Sequence, residues 1–284
     1  MAENKGRLSV WTGHSVEKTL PIRDQKSHKG TYGTGLLIAG SRDMPGAALL
    51  SGLGAMRSGI GKLEIGTESE VIPLVVPVLP EATYIRNGLE KVADGTLELH
   101  RYRAAAIGPG IVPNRIAEHA IEQLVDCDFP VVLDAGALTE RSYNERPAPI
   151  ILTPHPGEFS RITGVSTTDL EKRRGYYVSR FAKELGVTIV LKGHQTVIAF
   201  PDGETWVNAT GNASLAKGGT GDTLTGMILG MLCCHEDWKH AVLNAVFLHG
   251  ACADHWAATR STQTLLAHEL TDFLPEVWKK YEPK

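Results

Sequence analysis

The chain is predicted to fold as an α/β protein, a doubly wound and mostly parallel sheet flanked by helices on both faces, with an antiparallel hairpin at one edge. Three observations predict it. Short continuous apolar runs alternate with helical stretches. Most runs end in a cluster of Gly, Pro or acidic residues. One later segment pairs two short strands about a Pro-Asp-Gly turn. The 284 residues, 42% of them hydrophobic, can bury a large core. No linker-like segment or internal repeat divides them, so residues 1–284 are read as one domain.

Gly35-Leu36-Leu37-Ile38-Ala39-Gly40 has the unbroken apolar character of a parallel strand covered on both faces. It feeds a helix over residues 45–58, rich in Ala and Leu with small residues that suit close packing, and then the strand Lys62-Leu63-Glu64-Ile65-Gly66. The unit repeats. Ala104-Ala105-Ala106-Ile107-Gly108 precedes a helix over residues 114–125, and Pro130-Val131-Val132-Leu133-Asp134 precedes a turn and the strand Ile150-Ile151-Leu152-Thr153. A helix over residues 168–185 leads to Val187-Thr188-Ile189-Val190-Leu191. Residues 196–200 and 204–208 flank Pro201-Asp202-Gly203 as the hairpin, and residues 223–233, 238–259 and 267–279 read as helices.

A formal charge of −3 and the lack of an extended Lys/Arg run argue against nucleic acid or a membrane surface as partner, which leaves a small metabolite. Cys127, Cys233, Cys234 and Cys252 have neither zinc-site nor disulfide-framework spacing, so they read as reduced, buried thiols. The first 25 residues lack a hydrophobic signal core. No apolar run reaches the ~20 residues that span a bilayer, and a cytoplasmic protein is expected.

The segment with most chemistry in it is Gly218-Gly219-Thr220-Gly221-Asp222-Thr223, where a glycine cluster runs into an acid and a helix. Glycines let the backbone wrap an anion with its N–H groups turned inward, and the helix adds the positive end of its dipole. An acid placed there would repel a merely bound phosphate, yet it suits a general base for a hydroxyl attacking that phosphate. The plainer reading makes Thr220 or Asp222 a helix N-cap after a tight turn.

In a doubly wound sheet ligands sit beyond the carboxyl ends of the strands. The clusters that follow the strands, around Ala47, Gly108-Pro109-Gly110, Asp134, Thr153-Pro154-His155-Pro156-Gly157-Glu158 and Lys192-Gly193-His194-Gln195-Thr196, are therefore expected on one rim. His155, stiffened between two prolines, either positions a polar ligand or is a loop residue. Glu158 either holds Mg²⁺ through water or caps a helix; Lys192 either binds phosphate or is a solvated turn lysine; Asp134 either organises metal and phosphate or caps a turn.

Taken in order, Gly46-Ala47-Ala48, Gly108-Pro109-Gly110, Leu133-Asp134-Ala135-Gly136-Ala137-Leu138, Leu152-Thr153-Pro154-His155-Pro156-Gly157-Glu158-Phe159, Leu191-Lys192-Gly193 and Gly218-Gly219-Thr220-Gly221-Asp222-Thr223-Leu224-Thr225-Gly226 resemble the ADP/ATP-dependent NAD(P)H-hydrate dehydratases of the ribokinase-like superfamily. The resemblance runs from about Lys29 to near the C-terminus. It implies repair of hydrated NADH or NADPH: Asp222 takes the proton of the 6-hydroxyl as it attacks the terminal phosphate of ADP or ATP, amides around Gly219, Thr220 and Gly221 form the anion hole, and phosphate is eliminated. It further implies that Ala47, Gly110, His155 and Asp222 line the hydrated-dinucleotide site, and that Lys192, Gly193, His194, Gln195, Thr196 and Gly221 contact the adenine nucleotide. Mg²⁺, a homo-oligomeric (tetrameric) assembly and a separate epimerase for the other hydrate isomer are implied as well. Ala213-Ser214-Leu215-Ala216-Lys217 departs from the family's commoner wording, which bears on nucleotide preference. A small-molecule kinase using the same Asp222 and a non-catalytic nucleotide sensor are the competing readings. The His155 segment favours the dehydratase over the kinase, and the intact acid argues against the sensor.

Overall fold

Leu36, Leu37 and Ile38 are wholly buried, which is why their strand reads as a continuous apolar run instead of an alternating one. In the computed structural model, which describes residues 8–143 and 145–283, this strand is β2 (Thr34–Ile38). It is followed by α2 (Pro45–Arg57) and β3 (Lys62–Thr67), after β1 (Ser9–Trp11) and α1 (Gly13–Thr19). Next come α3 (Ile72–Val75), β4 (Thr83–Arg86), α4 (Gly88–Ala93), β5 (Ala104–Ile107), α5 (Arg115–Val125), β6 (Val131–Leu133) and β7 (Ile150–Leu152). The chain continues through α6 (Pro156–Thr163), α7 (Thr167–Lys172), α8 (Arg174–Leu185), β8 (Thr188–Leu191), β9 (Val197–Ala199) and β10 (Thr205–Asn208). Three helices close it: α9 (Thr220–Cys234), α10 (Trp238–Ala257) and α11 (Glu269–Tyr281).

Among the described residues the sheet has ten strands, in the order β1-β10-β9-β8-β7-β6-β5-β2-β3-β4. Among these strands the β8–β9 and β9–β10 pairings are antiparallel, and the other pairings are parallel. Winding leaves β2 in one direction through β3 and β4, then resumes on its other side at β5, so the strand order reverses between β2 and β5. The expected hairpin, β9–β10, lies near the β1 end of the sheet, with one more strand outside it. β1 pairs in parallel with β10, its Trp11 donating from Nε1 to Asn244 Oδ1 at 3.0 Å.

Alternate strand residues feed two cores. Leu37 and Ala106 face a layer built on α2, α9, α10 and α11, whereas Leu36, Ile38 and Ile107 face one built on α5 and α8. Almost the whole of α9 from Thr223 to Cys233 is buried, as expected of a helix apolar all round. It lies against α2 with the two backbones nearly touching. A Cβ on Gly226 would come 1.9 Å from the Ser51 carbonyl oxygen, and one on Gly54 would come 2.4 Å from that of Thr223. Small residues in both helices are thus a packing requirement.

Two sequence-derived boundaries shift. The helix expected over residues 168–185 breaks at Arg173, whose φ of −144° ends α7 before α8 starts. α9 starts at Thr220 instead of residue 223, because Gly219, at φ 89°, takes the N-cap position that had been read onto Thr220 or Asp222. Asp222 therefore stands in the first helical turn.

Candidate active site

Every cluster expected on one rim is found there, since β2, β5, β6, β7 and β8 run parallel and end side by side. Where the strand order reverses, the turn after β5 docks on the turn after β2. Gly40 N–H donates to the Pro109 carbonyl at 2.8 Å, and a Cβ on Gly110 would lie 2.8 Å from that of Ala47. Both Ala47 and Gly110 are buried, and their small size is what lets the two turns meet.

Beside these turns lies a cluster of four charged groups. Lys192, at the end of β8, reaches Asp134 Oδ1 at 2.7 Å and stands 3.9 Å from Glu158 Oε2. The other Asp134 oxygen accepts from Thr225 Oγ1 of α9 at 2.7 Å. Lys192 Nζ also hangs over the first turn of α9, 3.3 Å from where a Gly221 Cβ would be. Burial alone would lower the Lys192 pKa, but Asp134, Glu158 and Asp222 outweigh it and raise it, so the ammonium stays charged. The Asp222 carboxyl is pushed up to about 7, first by burial and then by the charges of Asp134 and Glu158, with Lys192 pulling the other way. A carboxylate so placed takes and gives up a proton near neutrality.

The structure settles several alternatives. Asp134 caps nothing with its side chain; its carboxylate belongs to Lys192 and Thr225. Lys192 is a mostly buried ion-pair partner and not a solvated turn residue. Glu158 does cap: with His155 it forms a reciprocal capping box on α6, His155 Nδ1 accepting from the Gly157 and Glu158 amides while Glu158 Oε2 accepts from His155 N–H. The His155 ring is more than half exposed at the rim, with Nε2 3.5 Å from Glu158 Oε1.

On the far side of Lys192 opens a cavity of about 370 Å³. One wall is the Lys192-Gly193-His194-Gln195-Thr196 loop, held by Arg174 of α8, which donates to the Leu191 and Lys192 carbonyls at 3.4 and 3.3 Å. The opposite wall is the chain after β10, where the Asp254 carboxylate accepts from Gly211 N–H at 2.8 Å and Asn212 Nδ2 at 2.9 Å. Thr220, Gly221 and His249 form the base.

Sequence reading passed over His249 because it lies within the apolar pattern of α10. Its ring nitrogen Nε2 sits 2.9 Å from the Thr220 carbonyl, which can only accept, so Nε2 carries the proton. Burial lowers the pKa to about 4, partly opposed by that hydrogen bond. A neutral imidazole thus fixes the turn that holds Asp222. No sequence pattern singled it out, since its partner lies 29 residues away.

Among the described residues no group of three or more His, Cys, Asp or Glu side chains is suited to hold a metal ion. Asp134 and Glu158, the expected candidates, have oxygens committed to Lys192, Thr225 and the His155 amide. This donor set is not a protein cage for Mg²⁺.

A glycine-capped helix with an acid at its third position, lying under a lysine at the carboxyl rim of a doubly wound sheet, defines a protein of the ribokinase-like class. A ribokinase-like superfamily protein from Enterococcus faecalis superposes with a TM-score of 0.86 at 28% identity, with 97% of each chain covered. Residues 35–276 match the family model for NAD(P)H-hydrate dehydratase, and the chain belongs to that family. It is 65% identical to the ADP-dependent (S)-NAD(P)H-hydrate dehydratase of Bacillus subtilis over 97% of this chain and 99% of that one. The crystal structure of the ADP/ATP-dependent NAD(P)H-hydrate dehydratase from Bacillus subtilis, co-crystallised with ATP/Mg²⁺, superposes with a TM-score of 0.96 at 63% identity, covering 99% of this chain and 100% of that one.

Proposed function

We propose that this chain dehydrates the S form of hydrated NADH or NADPH back to the dihydronicotinamide, using ADP or ATP as phosphoryl donor. The observation that carries the reading is Asp222, poised near neutrality in the first turn of α9 next to Gly221, which lines the cavity. The dinucleotide lies against Ala47, Gly110 and His155, with its 6-hydroxyl at Asp222. The adenine nucleotide lies in the cavity against residues 192–196 and Gly221, its terminal phosphate toward the amides of Gly219, Thr220 and Gly221. The Lys192 ammonium adds positive charge beside Gly221.

As the hydroxyl oxygen bonds to phosphorus, Asp222 takes its proton and the bond to the leaving nucleotide breaks. The helix N-terminus stabilises the charge on the transferring group. Phosphate is a far better leaving group than hydroxide, so the ring nitrogen's lone pair expels it from C6, and loss of a C5 proton restores the double bond. Mg²⁺ is expected to enter with the nucleotide. The same reading implies a single-domain, cytoplasmic enzyme assembled as a homotetramer, and light scattering of the purified protein checks the assembly.

The test mixes the protein with hydrated NADH, Mg²⁺ and either ADP or ATP and follows the near-ultraviolet absorbance of the dihydronicotinamide. Recovery with nucleotide, slowed ~10²-fold or more in Asp222→Ala, supports the reading and ranks the donors. Failure of well-folded wild type with both donors would sink it. A stable phosphorylated alcohol as product would favour a kinase.

A further inference from the structure

A second cavity, of about 360 Å³, opens at the opposite rim of the sheet, where α2 and α9 end and β2 and β3 begin. It is separated from Asp222 by most of α9, a 15-residue helix about 22 Å long. Its lining joins flat apolar surface with unneutralised positive charge. Tyr32, Met56 and Trp278 supply the first. The Arg23 guanidinium lies 4.3 Å over the Tyr32 ring and donates to the Gly59 carbonyl at 2.8 Å, so its position is fixed. Arg57, in the last turn of α2, makes no hydrogen bond or ion pair with any described residue. The one carboxylate in the lining, Glu282, is paired with Lys279. Two guanidiniums with no carboxylate partner thus share a cleft in a chain whose net charge is −3.

We propose that this cavity binds a small aromatic anion, its ring against Trp278 and Met56 and its phosphate or carboxylate on Arg57 and Arg23. Guanidinium forks match both anions in bidentate geometry, and aromatic faces supply stacking area. The volume lies at the lower end of ordinary ligand cavities, which suits a ring system with one charged group. The site is independent of the dehydratase reading.

Calorimetric titration of the whole protein tests it, with ADP and Mg²⁺ saturating the first cavity. The probes are 1-naphthyl phosphate, 1-naphthoate and uncharged 1-naphthol. One anion site is expected, weakened about tenfold or more by Arg57→Ala and by Trp278→Ala, unchanged by Lys192→Ala, and at least tenfold weaker for naphthol. The arm with the tighter binding decides between phosphate and carboxylate. Absence of binding by both anions, equal binding of naphthol, or affinity retained in Arg57→Ala would each overturn the proposal. Arg57 is exposed, so its replacement leaves the fold intact, and a thermal melt of the variant checks this.

Discussion

The two ends of α9 carry ionisable groups shifted by the same cause to opposite effect. At its start, burial and neighbouring carboxylates lift Asp222 to about 7, inside the range where a proton can be exchanged with substrate. At its end, burial lifts the Cys234 thiol to about 12 and the Cys233 thiol further still, beyond any use at neutral pH. Desolvation alone makes a group inert. Desolvation tempered by a fixed cation, Lys192, next to a cavity that the adjoining Gly221 helps to line makes a reagent.

The sharpest way to break this contrast is at Asp222. Asp222→Asn keeps the shape and removes the base, and kcat is expected to fall ~10²-fold or more in the absorbance assay. The packing beneath both ends comes next. Gly226→Ala forces a methyl into the Ser51 carbonyl, and a loss of ~1–3 kcal/mol is expected in denaturant unfolding. Retained stability would mean that α2 and α9 can separate.

The third test is pH. Asp222 must be ionised to accept a proton, so kcat/KM for the free enzyme should fall about tenfold per unit below about pH 7. Because its folded pKa is raised, the stability it contributes is fully present below the unfolded value of ~3.9 and is lost as pH rises through about 7. Asp222→Asn should therefore be more stable than wild type above neutrality. A profile without that limb would show that another group takes the proton.

Smaller still is His249→Phe, which keeps the ring and deletes the bond to the Thr220 carbonyl. The loss of about one hydrogen bond is expected to lower kcat several-fold, with His249→Gln recovering part of it. The weakest effect belongs to the other end of the helix: Cys234→Ser should leave activity unchanged, and thiol alkylation at neutral pH should be slow.

The site was legible where it is built from contiguous backbone. Gly218 to Asp222 advertises an anion cradle with an acid because glycine freedom and helix start are both local signals, and the apolar runs of β2, β5, β6 and β8 announce strands covered on both faces. What escaped is long-range or short. The Lys192–Asp134 pair spans 58 residues and the Thr225–Asp134 bond spans 91, and nothing in either segment names its partner. β1, three residues long, is held by docking on β10 and by Trp11 reaching Asn244. β4 is an outer strand with partly exposed residues and no continuous apolar run. α9 starts three residues before its apolar pattern does, because Gly219 caps it through backbone conformation, without a capping side chain.

The near contact of the α2 and α9 backbones through Gly54 and Gly226 has a consequence for motion. Two helices that lock at this distance behave as one stiff beam, so the turn bearing Asp222 is set in place before any ligand arrives. Adjustment to the nucleotide must then come from the two loops that form the cavity walls. Under hydrogen exchange the central amides of α9 should be among the last to exchange and those of residues 193–196 among the first.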